Sequence, residues 1–331
     1  MAFKDVLGHS MPVELLQRAI KTDKVVHSYL FVGNEGIGKR RVALEFAKAL
    51  NCLERSADTG NSCDQCLSCR KIQDGTHPDV LLLEPENQTI KVDQVRQMQR
   101  DLAYRPYEGK RRVCILAAAD RMAPNMSNIL LKTLEEPPIH TVIILLANNP
   151  RLLLPTIVSR CQSVRFHPLP ISLVAGWLSE QQGMGKEEAR LLASLSEGSP
   201  GKALELQEKI RQIPRGDLLG KWLGREKLSF GEIERWVESM PSDREDLIPI
   251  LELAKTLVRD LVVIKTLKDG SRLIHSDLQE AMTDIASRLR LSSLLDRIRV
   301  LHETLLGISP IRGNANTRLA LEAMMLSWPE G

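Results

Sequence analysis

The sequence predicts a doubly wound α/β domain followed by an all-α region. Three observations lead there. A glycine-rich loop, Gly33 to Arg40 (GNEGIGKR), joins the short apolar run Tyr29 to Val32 to a segment with helical periodicity. Five short apolar runs alternate with helical patterns as far as Phe166, after which the β pattern stops. Aromatic residues are only 4% of a chain that is 43% apolar, so the core must come from Leu, Ile, Val and Ala, a composition suited to helices packed on parallel strands. At 331 residues there is room for two or three domains.

Taken in order, Val13 to Ile20 reads as a short amphipathic helix after Pro12, and Tyr29 to Val32 as the first strand. The loop that follows has the first glycine of a phosphate-binding loop at Gly33, a further glycine at Gly36, and Gly38-Lys39 at the required spacing. Such glycines let backbone N–H groups face phosphate oxygens, the lysine adds a point charge, and the next helix adds its N-terminal dipole. Position 40 is arginine, where the pattern asks for the hydroxyl that holds Mg²⁺. Gly33, Gly36, Gly38, Lys39 and Arg40 are therefore candidate ATP or ADP contacts in a loop altered at its metal position. The helix behind it carries Val42, Phe46, Ala47 and Leu50 on one face.

Cys52, Cys63, Cys66 and Cys69 come next, with overlapping CxxC steps in CDQCLSC. Thiolates at that spacing reach one tetrahedral ion from a tight turn, and four of them leave no open position for water, so a structural Zn²⁺ is expected. A redox CxxC needs two activated thiols rather than four. The knuckle, residues 52–69, staples a loop and has no catalytic task in this reading.

Val80 to Leu83 and Val113 to Leu116 read as buried strands, with a helix from Val92 to Tyr104 between them and Lys110 to Arg112 as the solvated start of the second. In a working phosphate-loop ATPase the acids that hold Mg²⁺ and polarise water sit at the end of such a strand. Here the end reads Ala117-Ala118-Ala119-Asp120. A helix from Asn125 stops at Glu135-Glu136-Pro137-Pro138, because proline bars its predecessor from the helical region. Thr141 to Ala147 and Val164 to Phe166 complete the sheet, with Ser159-Arg160-Cys161 delivered by a short helix from Pro155. Beyond Pro168, Ile171 to Gln182, Lys186 to Ser196 and Gly198 to Gln207 are short helices. Leu247 to Ile264, Leu291 to Ile308 and Thr317 to Trp328 are longer amphipathic ones.

The net charge of +3 is too small to require nucleic acid by bulk electrostatics. The first ten residues, MAFKDVLGHS, contain charges and no apolar leader core, and the longest strongly apolar run, Val142 to Ala147, is too short to span a bilayer, so a cytosolic protein is expected.

The order of these motifs resembles the bacterial clamp-loader family of the AAA+ class, the loaders of DNA polymerase III. The resemblance is carried by Leu130 to Pro138 (LLKTLEEPP), Ser159-Arg160-Cys161, the four cysteines behind the loop helix, and Gly198 to Leu204 (GSPGKAL). It implies a nucleotide-binding-like domain over 1–167, a helical lid over 168–209 and a helical collar over 210–331 that joins five subunits in a ring. It also implies partners: gamma/tau ATPase subunits, a delta subunit, and through the complex the sliding clamp and primed DNA. Ala117 and Ala118 stand where the family's ATPases carry paired acids, and Gly201 where they carry a nucleotide-contacting arginine, with Lys202 beside it. Loss of acids and hydroxyl together removes most electrostatic support for attack on the γ-phosphate, so no intrinsic ATP hydrolysis is expected. Arg160 would be an arginine finger acting in trans on a neighbour's nucleotide. An active motor subunit of the same family and a zinc-containing nucleic-acid-binding module are the alternative readings.

Overall fold

The computed structural model describes residues 3–55, 59–85, 90, 92–122, 124–223, 229–267, 272–308 and 316–328. The chain divides into two compact units, Met1–Leu169 and Pro170–Gly331.

The first unit is built on a five-stranded parallel sheet of β1 (Ser28–Val32), β2 (Val80–Leu83), β3 (Arg112–Leu116), β4 (Thr141–Ala147) and β5 (Gln162–Arg165), in the order β2-β3-β4-β1-β5. Its helices are α1 (Ser10–Lys21), α2 (Lys39–Asn51), α3 (Leu67–Gln73), α4 (Val92–Leu102), α5 (Pro124–Glu135) and α6 (Pro155–Val158). The expected doubly wound parallel sheet is thus present. Alternate residues of β1 serve opposite faces. Leu30 joins Leu116, Ile143 and Leu145 against Val95 and Met98 of α4 and Leu130 of α5. Tyr29 meets Phe46 of α2 edge to face at 5.2 Å, and Phe31 lies 5.3 Å from Phe166. Both faces being covered, all seven residues of β4 are buried.

Three expectations need correction. Val80 to Leu83 is only half-buried, because β2 is an edge strand with a neighbour on one side. Arg112 is not solvated: its guanidinium is buried against Asp79 at 3.0 Å, and the same carboxylate accepts the backbone N–H groups of Tyr107, Glu108 and Gly109. Five hydrogen-bond donors thereby pin the turn before β3 to the residue before β2. Aromatic residues are also not marginal to the core of the second unit. Trp222 is fully buried, stacked 4.3 Å from Trp236 and 5.1 Å from Trp328, while the buried Arg297 guanidinium lies 5.3 Å from the Trp328 ring.

The second unit is helical: α7 (Ile171–Gln182), α8 (Lys186–Leu195), α9 (Pro200–Arg211), α10 (Arg215–Asp217), α11 (Phe230–Ser239), α12 (Arg244–Leu267), α13 (Gln279–Arg288), α14 (Leu291–Ile308) and α15 (Thr317–Leu326). The stripe Leu247, Leu251, Ala254, Leu257, Val258 and Leu261 of α12 is buried, with α13 and α14 packed along that helix. Among the described residues no helix is long and apolar enough to cross a membrane.

Candidate functional site

In-register pairing places Val32 beside Ala147 on one side and Arg165 on the other, so the glycine loop leaves β1 at the carboxyl edge of the sheet. Each glycine there has a backbone reason. A side chain at Gly33 would sit 2.6 Å from the carbonyl oxygen of Phe166, while Gly36 and Gly38 take φ of 70° and 111°. His9 braces the loop through Nε2, 2.8 Å from the Ile37 carbonyl, and its ring meets Phe166 edge-on. Burial lowers its pKa, and a neutral ring suits that enclosure.

Lys39 opens α2 and is almost fully buried. Its ammonium donates to the carbonyls of Gly33 at 2.6 Å and Asn34 at 2.8 Å and to Oδ1 of Asn148 at 2.8 Å. Burial pushes it down to about 8, against the pull of Asp120 and Glu35. Asn148, at the end of β4, is in turn fixed by Asp120, whose Oδ2 accepts the N–H groups of Asn148 and Asn149 at 2.9 and 2.8 Å. The short turn after β3 thus reaches Lys39 through a carboxylate and an amide. Sequence reasoning did not single out His9, Asn148 or Asp120. The only available signal was the position of Asp120 and Asn148 just past two buried strands.

The cleft over this loop has a volume of about 590 Å³ and is lined on its far side by Ala117, Ala118 and Glu84. Ala118 adopts a left-handed conformation, φ 50° and ψ 47°, unusual for a residue with a Cβ. Neither alanine side chain offers an oxygen to a metal. Arg40 does not fill the cleft. It lies along the wall, with its guanidinium 2.7 Å from the Glu84 carboxylate. Gly201 and Lys202 occupy the first turn of α9 in the second unit.

Arg160 lies elsewhere. It precedes β5, whose Gln162 pairs with Tyr29, so it sits at the amino edge of the sheet. From there to Gly33 is about six residues of strand, roughly 20 Å. Its carbonyl accepts the Ser28 hydroxyl at 2.7 Å. Its guanidinium donates to the Thr156 carbonyl at 3.0 Å and pairs with Glu135 at 2.8 Å while remaining 37% exposed. The residue is salt-bridged and solvent-facing, and it is not part of the cleft over the glycine loop.

Cys52, Cys63, Cys66 and Cys69 converge, their sulfurs all within 4.8 Å of one another. A tetrahedral ion with Zn–S bonds of ~2.3 Å sets sulfurs about 3.8 Å apart. The 4.0 Å between the Cys52 and Cys66 sulfurs fits it. Backbone N–H groups of Cys63 and Cys66 point at the sulfurs of Cys52 and Cys63, as thiolates require. Burial opposes ionisation of Cys66, yet the backbone N–H groups of Cys69 and Leu53 hold its thiol down to about 6. The buried Lys48 of α2 ties this knuckle to the loop helix by bonding Glu45, Asp64 and, on α3, Gln73.

The family described as "DNA polymerase III, delta subunit" matches residues 8–170. DNA polymerase III subunit delta' of Bacillus subtilis is 29% identical over 96% of this chain and 95% of its own length. The delta' subunit of Pseudomonas aeruginosa is 39% identical over 57% of this chain and 60% of its own length. Bacillus subtilis subunit tau is 32% identical over 66% and 39%. A relative named delta' aligns almost end to end and a family model spans the whole sheet, so the chain is similar in sequence to the delta' subunits of DNA polymerase III.

Proposed function

We propose that this chain helps load the sliding clamp onto primed DNA as a delta'-type subunit that does not hydrolyse ATP itself and supplies Arg160 to a neighbouring ATPase subunit. One observation carries the reading: the cleft and the arginine are separated. The cleft at the carboxyl edge has Lys39 but no acids at Ala117 and Ala118 and no hydroxyl at position 40, and the glutamates that line it are each paired with a cation, so no free acid is set there to hold Mg²⁺ and orient water. Arg160, at the opposite edge, is exposed and too far from that cleft to serve it, whereas an edge-mounted guanidinium is well placed for a neighbour. Supplied in trans, such a group is worth ~10³ to 10⁵ in rate by neutralising charge on the transferred phosphoryl group.

In this reading, 1–167 is a nucleotide-binding-like domain, 168–209 a lid and 210–331 the collar of a five-subunit ring with gamma/tau ATPases and a delta subunit. Clamp and primed DNA are met through the complex. ATP or ADP is held at Gly33, Gly36, Gly38, Lys39 and Arg40 without turnover. Cys52, Cys63, Cys66 and Cys69 hold a Zn²⁺ whose contribution is to fix the loop between α2 and α3. The purified chain is expected to show no Mg²⁺-dependent ATP turnover. Turnover at the rate of an AAA+ motor, abolished by Lys39→Ala, would contradict the reading.

A further inference from the structure

We infer that Arg40 is a built-in counter-cation for nucleotide phosphates, so that this cleft takes a nucleoside di- or triphosphate without Mg²⁺, with Glu84 as the partner from which the phosphates draw the guanidinium. The inference rests on the reading that the cleft binds nucleotide without hydrolysing it.

Three features of the cleft support it. Arg40 stands in the first turn of α2, directly after Lys39, at the position whose hydroxyl would otherwise hold the metal. The wall that would supply metal-holding acids carries Ala117 and Ala118. Each glutamate lining the cleft already has a cation: Glu84 pairs with Arg40, Glu35 with Arg121 at 3.2 Å, and Glu45 with the buried Lys48 at 3.2 Å. A divalent ion would have to displace one of these cations, whereas a phosphate would meet Lys39, Arg40 and Arg121 on the same walls.

The Arg40–Glu84 pair is also suited to exchange. Both guanidinium NH groups face the carboxylate, at 2.7 and 3.5 Å, the two-pronged geometry that phosphate oxygens accept equally well. Both side chains are about half exposed, so the pair is weakly held and a doubly charged phosphate competes for it on favourable terms. Arg40 leaves Glu84 by rotating a flexible stem, with no buried group disturbed. Mg²⁺ chelated by the incoming nucleotide would crowd and repel that guanidinium, so the metal weakens binding or leaves it unchanged.

The test is titration calorimetry of ADP and of ATP into the full-length chain, in EDTA and in MgCl₂. Binding in EDTA at least as tight as in MgCl₂ is expected. Arg40→Ser should weaken the EDTA affinity tenfold or more, Arg40→Lys should recover only part of it because a point charge lacks the guanidinium fork, and Glu84→Gln, by freeing the guanidinium, should tighten it severalfold. Binding that needs Mg²⁺ would overturn the inference and leave nucleotide binding standing; no binding under either condition would overturn both. Weakening by Glu84→Gln in step with Arg40→Ser would show that the pair only shapes the cleft, which also overturns it. Thermal melts of each variant separate these outcomes from misfolding.

Discussion

Glu135 holds the Arg160 guanidinium at 2.8 Å from the last turn of α5, so the two conspicuous sequence blocks LLKTLEEPP and Ser-Arg-Cys meet at the amino edge of the sheet. The pair is solvent-facing and worth no more than ~1 kcal/mol to the fold. Glu135→Ala should therefore leave the melting temperature of the chain within about 2 °C of the parent. In an assembled loader it should lower ATP turnover at the neighbouring site severalfold, less than loss of Arg160 itself, because the guanidinium remains but is less well aimed. A large drop in melting temperature would mean that the contact is structural instead.

The four converging thiols predict one zinc per chain by elemental analysis. Cys66→Ser should release it and lower the melting temperature of the first unit, with a loss of several kcal/mol, since the metal holds a loop that otherwise has little core. A metal-free preparation with four freely titrating thiols and an unchanged melt would contradict this.

Asp79 is fully buried, with Arg112 and three backbone N–H groups as its partners. Asp79→Ala leaves the Arg112 charge buried without its carboxylate and should cost ~3–5 kcal/mol in denaturant unfolding. Burial pushes the Asp79 carboxyl upward, but the N–H groups of Tyr107, Gly109 and Glu108 and the Arg112 guanidinium outweigh it and leave the pKa below the usual carboxylate range. Its stabilisation is then present above the ordinary aspartate pKa and is lost as pH falls through the lowered one. Asp79→Asn should flatten that acid limb.

His275 is buried in the second unit, between the Thr256 hydroxyl at 3.0 Å and Arg215 at 3.2 Å, with Asp260, Asp277 and Arg259 nearby. Burial pushes it down to about 4 from an ordinary 6.5. Above the ordinary value the ring is neutral whether folded or unfolded and nothing is lost. Between pH ~6.5 and ~4 only the unfolded chain takes up the proton, so stability falls by on the order of 3 kcal/mol across that window. His275→Gln should remove this slope from a urea-unfolding series, and an unaltered slope would contradict the assignment.

Much of the first unit could be read from local pattern, because buried parallel strands are short apolar runs wherever they occur. Val80 to Leu83 and Thr141 to Ala147 have the same bounds in sequence and structure. What escaped depends on partners far apart in the chain. Arg112 reads as a solvated strand start until Asp79, 33 residues earlier, is brought against it. Arg40 reads only as a replacement for the metal-binding hydroxyl until Glu84, 44 residues later, takes its guanidinium to the wall of the cleft. Ser229 and Glu232 form a capping box, a local start signal for the helix Phe230–Ser239 that apolar periodicity alone does not give. Three tryptophans spread from Trp222 to Trp328 give no periodic hint that they stack. The glycine loop was legible as a tight turn from strand to helix with Lys39 at the helix start, but the tether of Lys39 through Asn148 and Asp120 was not, because no local rule joins the ends of β3 and β4.

The division of labour between Lys39 and Arg160 is tested most directly by measuring DNA- and clamp-stimulated ATP turnover of a reconstituted loader whose one altered component is this chain with Arg160→Ala. Ring assembly should be intact by sedimentation, and turnover at the one ATPase site that this chain serves should fall at least tenfold, seen as loss of that site's share of the total. Arg160→Lys should fail to restore it, because a point charge lacks the guanidinium fork. Unchanged turnover in an intact ring would contradict the claim that this chain completes its neighbour's site.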